Sequence, residues 1–192
     1  VADGSTETAT PISTYYNYGY GEIIYTQSQI ANQGVIDQIQ FEWDGSATEV
    51  RSWKIFMGHT TKTGFSSTSD WISSSGLTQV YNGSVALVGT GYAYFLPVNL
   101  DTNFTYNNSD NLVIAIQDNT GNYYDCFTCN FHSASTGDSS VRSIVKVTDS
   151  GAVSSTSPPT ASITYALTPS FKIRITATTP SISVGSAITN LN

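Results

Sequence analysis

Apolar residues in this chain recur at every second position and almost never at helical spacing, and that regularity restricts it to sheet. No stretch of ten or more residues carries a helical period free of Gly, Pro or β-branched clusters. The clearest strand opens the segment 50–71, VRSWKIFMGHTTKTGFSSTSDW. In it Trp53, Ile55 and Met57 point one way while Ser52, Lys54 and Phe56 point the other. Gly58 ends this strand. The Thr/Gly/Ser run after His59 brings turn chemistry, and Phe65 and Trp71 are spaced along it as anchors of a structured loop.

The same period continues along the chain. In TYYNYGYGEIIY, residues 14–25, Tyr16, Tyr18 and Tyr20 fall on one side of an extended chain and Tyr15 and Asn17 on the other. Residues 23–30 continue as a strand and Asn32-Gln33-Gly34 turns. Over 35–43, Val35, Asp37, Ile39, Phe41 and Trp43 share one face; Ile36, Gln38, Gln40 and Glu42 share the other. Residues 77–88 read as a hairpin with Asn82-Gly83 as its two turn residues. Over 91–98 Tyr92, Tyr94 and Leu96 share a face, and Pro97 marks an edge or a terminus. The run Leu112-Val113-Ile114-Ala115-Ile116 is apolar on both faces and predicts a central strand. Residues 141–147 form a further strand and 151–159 a Ser/Pro-rich linker within the domain. A last strand, 171–177, turns Phe171, Ile173 and Ile175 inward and Lys172 and Arg174 outward. Roughly ten short strands at this spacing predict an all-β, two-sheet antiparallel β-sandwich of jelly-roll type.

At 192 residues the chain suits one core. It divides into a polar lead at 1–10, a sandwich at 11–177 and a segment 178–192. That last segment serves as a linker to a further domain or as a strand lent to a neighbour. Charged residues make up only 11% and the net charge is −7, so there is no basic footprint for nucleic acid. No apolar run reaches the ~20 residues that span a bilayer, and residues 1–11 lack the basic and apolar regions of a signal peptide. A low-charge, Ser/Thr/Asn-rich β-protein of this kind suits an extracellular or cell-surface setting.

Residues 118–132, DNTGNYYDCFTCNFH, form the most unusual loop. Its Cys126 and Cys129 are the only cysteines, and in a secreted protein their C-x-x-C spacing most simply makes an intraloop disulfide that stiffens the loop. A zinc site would need two further ligands; Asp125 and His132 are near in sequence, but no second C-x-x-C or H-x-x-x-H exists, and no metal or cofactor is expected. No G-x-S-x-G elbow appears, and paired carboxylates for glycoside cleavage would have to be assembled in space, so no catalysis is expected. Asp101-Thr102-Asn103, Asp110-Asn111 and Asp118-Asn119 read as turns rather than calcium ligands. Asn82, Asn103 and Asn107 open N-glycosylation patterns that matter only in a eukaryotic source.

Several stretches together resemble a β-sandwich module recurrent in large secreted and cell-surface proteins of Bacteroidota, many exported by the type IX system. They are the P-x-x-x-Y-Y-x-Y-x-Y from Pro11 to Tyr20 followed by Ile24-Tyr25, the strand 34–41, and Lys54-Ile55-Phe56-Met57-Gly58-His59-Thr60. Phe65, Asp70-Trp71, Val80-Tyr81-Asn82-Gly83, Phe104-Thr105-Tyr106-Asn107, residues 111–115 and Val141-Arg142-Ser143-Ile144 complete the likeness, over 11–177. The resemblance implies a non-catalytic accessory module that takes glycans or surfaces as ligands. It also implies a structural role for His59, bonding backbone in the loop after it, and for Trp71, pinning that loop. The Cys126/Cys129 pair lies outside the pattern.

The functional expectation is therefore a glycan-binding or adhesion module for a polysaccharide or cell-surface glycan. Sugar faces would stack on exposed aromatics, with Tyr123, Tyr124 and Phe127 the first candidates and Tyr16, Tyr18, Tyr20, Tyr92 and Tyr94 the others. Against it stands plain packing of these rings in loop and sheet edge. The alternative is a structural repeat or filament subunit that joins other copies, or adjacent domains of a longer chain, through its terminal strands.

Overall fold

The structure is a computed structural model and describes residues 6–126 and 129–177. Its elements run β1 (Thr6–Thr8), β2 (Tyr18–Tyr25), α1 (Gln27–Ile30), β3 (Gly34–Asp44), β4 (Glu49–Thr60), β5 (Thr78–Leu87), β6 (Tyr94–Tyr106), β7 (Asn111–Asp118), β8 (Asn130–Ser135), β9 (Ser143–Thr148), β10 (Ile163–Tyr165), β11 (Leu167–Pro169) and β12 (Phe171–Thr176). They form two antiparallel sheets. Sheet B has the order β10-β9-β2-β7-β4-β5. In sheet A, β3 pairs with β6 along one side and with β12 and then β8 along the other, while β1 and β11 flank β8. The chain changes sheet at most of its connections, which is the winding of a jelly roll.

The core lies between the sheets. Trp53, Ile55 and Met57 of β4, Ile23 and Tyr25 of β2 and Leu112, Ile114 and Ile116 of β7 face Ile36, Ile39, Phe41 and Trp43 of β3 and Phe131 and Phe171, all buried. Tyr25 stacks on Phe171 at 4.5 Å, and Phe131 links Trp43, Trp53 and Phe41. The apolar run of β7 sits between β2 and β4 and is covered on both faces, as its composition dictates.

The outer faces differ. Sheet B carries a second apolar layer, in which Tyr20, Ile24, Ala115 and Ile144 lie beneath Phe65, Trp71, Val153 and Ala161 from the two long loops. Phe65 N donates to Val141 O at 2.7 Å and Trp71 Nε1 to Pro159 O at 3.0 Å, so both aromatics anchor the loop as their spacing suggests. Sheet A turns a polar face outward, where Gln40, Gln38 and Asn99 form an amide ladder and Lys172 sits over Phe95.

Several local expectations change. Gly58 does not end its strand, because β7 continues the ladder and β4 runs on to Thr60. Residues 82–83 do not turn: β5 pairs with β4 from end to end, neither residue has positive φ, and Asn82 N donates instead to Asp101 Oδ2 of β6 at 2.8 Å. A register shift between Ile36 and Gln38 bulges β3 at Asp37, which brings Ile36 onto the inner face with Ile39 instead of opposite it. Residues 26–30 leave the strand for the single turn α1, closed by a capping box of Thr26 and Gln29. Asp101-Thr102-Asn103 lies within β6 rather than in a turn. Thr6–Thr8, in the polar lead, pairs with β8; the segment 178–192 lies outside the described residues.

Candidate functional site

The site grows from one charge in an apolar register. Arg51 shares the inner-face parity of Trp53, Ile55 and Met57, and it is fully buried where the sandwich opens at the end of β4. A buried guanidinium survives only if its donors are matched. Arg51 Nε and Nη2 reach Asp118 Oδ2, both at 2.8 Å, and Nη1 reaches Glu49 Oε1 at 2.6 Å. The same guanidinium donates to Asn122 O at 2.8 Å and Tyr16 O at 3.0 Å, with Thr14 O at 3.5 Å. Asp118 is satisfied in turn by Trp53 Nε1 and by the amide and hydroxyl of Thr120. Burial holds the Glu49 carboxyl above its ordinary range against the opposing pull of Arg51.

The clamp fixes two loops side by side. Tyr124 N donates to Thr14 O at 2.8 Å, Gly121 N to Asn17 O and Asn119 N to Ser52 O, both at 2.9 Å. Gly121 has φ +74°, and a Cβ there would stand 3.1 Å from the Tyr18 hydroxyl, so glycine is required. The Cys126–Cys129 disulfide closes the far end of the second loop, with Cys129 buried in the core cluster.

On this base stand the aromatic rings. Tyr15 is 60% exposed and Tyr123 55%, with ring centroids 6.3 Å apart at 60°. Tyr15 also meets the half-buried Tyr16 edge to face at 5.7 Å and 83°. Beside Tyr15 opens a cleft of about 230 Å³ lined by Ser13, Thr14, Trp43, Asn130 and the disulfide.

Of the tyrosines singled out from the sequence, Tyr16, Tyr18, Tyr123 and Tyr124 meet at this corner. Tyr124 is half-buried against the core, leaving Tyr123 as the free face of the pair. Tyr20 does not belong to it. Its ring is fully buried beneath Trp71 and its hydroxyl donates to Glu22 Oε1 at 2.8 Å, because β2 is a central strand rather than an edge. Tyr92 is 79% exposed on the β5–β6 connection, and Tyr94 turns inward, accepting from Val88 N at 3.1 Å. Tyr94 lines a groove of about 570 Å³ with Tyr81, Val85, Leu96 and Val98. Phe127 lies outside the described residues.

Two members of the corner are absent from the residues that the sequence singles out for binding. Tyr15 escapes because parity applies only within strands, and β2 starts at Tyr18. Arg51 had a visible signal: a charge standing in line with Trp53, Ile55 and Met57.

Elsewhere, His59 Nε2 accepts from Asn107 N at 3.2 Å, so it holds the β6–β7 turn rather than the loop after it. His132 lies 3.6 Å from Glu42 and 3.8 Å from Asp44. Among the described residues no group of three or more His, Cys, Asp or Glu is gathered for a metal ion, and no helix is long and apolar enough to cross a membrane. No family model matches the chain, and no curated protein matches it.

Proposed function

We propose that this chain is a non-catalytic glycan-binding module of the extracellular space or cell surface, and that its binding surface is the corner of Tyr15, Tyr16 and Tyr123. One observation carries the reading: two exposed tyrosine rings stand on backbone that a buried, fully matched arginine holds in place. Exposed aromatic rings offer the apolar face of a sugar a stacking surface, and a rigid base removes the ordering cost that weakens binding by mobile loops. The cleft beside Tyr15 supplies Ser13 and Asn130 as polar neighbours for hydroxyls. The resemblance to secreted Bacteroidota modules supports the setting and the partner class, a polysaccharide or cell-surface glycan.

The test is calorimetric titration of soluble polysaccharides into the intact chain and into Tyr15→Ser and Tyr123→Ser. Saturable binding that each substitution weakens about tenfold, the equivalent of one lost stacking contact, is the expected result. Equal affinity in all three proteins removes the corner from the binding surface.

A second reading, a surface repeat or filament subunit, draws on the strands β5 and β6, each paired along one side only. Light scattering of the full chain and of one ending at Thr178 separates the two: assembly by the full chain alone favours the repeat.

A further inference from the structure

The corner's geometry and charge narrow the ligand, on the premise that the corner binds glycan. Stacking on a flat crystalline polysaccharide needs rings that present one common plane. Here Tyr15 and Tyr123 are inclined at 60°, and Tyr15 and Tyr16 at 83°. Each pair therefore forms an angle. A sugar resting on the face of one ring meets the edge of the next, so the corner embraces a chain that is free on its other sides, and the two exposed rings, Tyr15 and Tyr123, do not lie together on a flat lattice.

Charge supplies an independent restriction. The three segments that build the corner, 9–17, 43–52 and 118–130, contain one cation, Arg51, against Asp44, Glu49, Asp118 and Asp125. Arg51 is buried, and its donors are directed to carboxylates and carbonyls, so it offers nothing to an incoming anion. Asp125 is exposed two residues beyond Tyr123. The exposed Asp149 accepts from Asn17 N at 3.1 Å, one residue beyond Tyr16. Asp44 pairs with Asn130 at the rim of the cleft. Exposed carboxylates act on a charged ligand over about a Debye length, ~10 Å, at ordinary ionic strength. A uronate or sulfate seated on Tyr15 or Tyr123 would find carboxylates and no exposed cation on the three segments that build the corner.

We infer that the corner selects a single uncharged glycan chain, and that it rejects both anionic polysaccharides and crystalline surfaces.

Affinity electrophoresis tests this with soluble galactomannan and hydroxyethylcellulose as neutral probes and alginate, polygalacturonate and chondroitin sulfate as anionic ones. It is paired with sedimentation on microcrystalline cellulose and chitin, using the full chain and the Tyr15→Ser/Tyr123→Ser double variant at low and high salt. Both residues are exposed, so equal melting temperatures verify that the variant is folded. The expected result is retardation by a neutral probe, lost in the double variant and unchanged by salt, with no retardation by the anionic gels and no sedimentation with the solids. Retardation by an anionic probe that the double variant loses overturns the charge argument and leaves the glycan reading standing. Tyrosine-dependent sedimentation with a solid overturns the ring argument in the same way. Failure of every probe overturns the glycan reading, and this inference with it.

Discussion

Two buried charges tie loops to this sandwich, and they are accommodated in opposite ways. Beneath the tyrosine corner, Arg51 meets Asp118 and Glu49 and spends its remaining donors on loop carbonyls, so charge answers charge. On the outer face of sheet B, Glu22 is equally buried, but its direct partners are neutral: Tyr20 donates to Oε1 and Ile72 N to Oε2, both at 2.8 Å. Burial raises its carboxyl from an ordinary value of 4.5 to about 7, against the smaller downward pull of those two hydrogen bonds and of Lys62. A matched charge is held by its ion pairs, whereas an unmatched carboxyl raised to about 7 makes its loop titrate near neutral pH. The candidate binding surface stands on the first kind, and the loop carrying Trp71 on the second.

The largest effect is expected at Arg51. Replacing it by Met leaves Asp118 buried without its cation and takes the donor from three loop carbonyls, a loss of about 3–5 kcal/mol in chemical denaturation. Arg51→Lys keeps the charge but cannot span the same acceptors, and falls between. A Met variant as stable as the parent would show that Arg51 does not hold the two loops.

Glu22 comes next, and its sign is opposite to that of an ion-paired carboxylate. The unfolded chain releases this proton near pH 4.5 and the folded protein near 7, so the stability it contributes is complete below 4.5, falls as pH rises through the interval and is flat above it. The span is about 3 kcal/mol at roughly 1.4 kcal/mol per pH unit. Glu22→Gln should flatten melting temperature against pH over this range and melt above the parent at pH values beyond 7. An unchanged profile would show that Glu22 is matched after all.

Smaller still is the disulfide. Cys126 and Cys129 close so short a ring that a double Ser variant should lose at most about 2 kcal/mol in chemical denaturation. Smallest in stability are Tyr15→Ser and Tyr123→Ser, within about 0.5 kcal/mol of the parent because both rings are exposed; their effect belongs to binding.

The sandwich was legible because burial imposes a period of two, and the sequence keeps it in β4 and breaks it in β7, where both faces are covered. What escaped were places where a long-range partner overrides a local signal. Asn82-Gly83 carries turn chemistry, yet the chain stays extended because β4 supplies a ladder and Asp101 takes the Asn82 amide. The bulge at Asp37 moves Ile36 to the other face without leaving a mark in residue types. The corner was half legible. Tyr123 stood out in an unusual loop, but its neighbour Tyr15 lies more than a hundred residues away, and only the fold brings the two rings together. Arg51 was visible as a charge in an apolar line, while the three carbonyls it serves were not.

If the proposed function is right, a glycan sits on the Arg51-supported tyrosine corner and nowhere else on the described surface. Ring and amide NMR signals recorded while a soluble neutral oligosaccharide is titrated in test it most directly. The expected result is that Tyr15, Tyr16 and Tyr123 shift together with the amides of 13–17 and 121–125, while Tyr92, the groove lined by Tyr81 and Tyr94 and the amide ladder of sheet A stay unmoved. Shifts confined to that groove or ladder, with the corner silent, would contradict it.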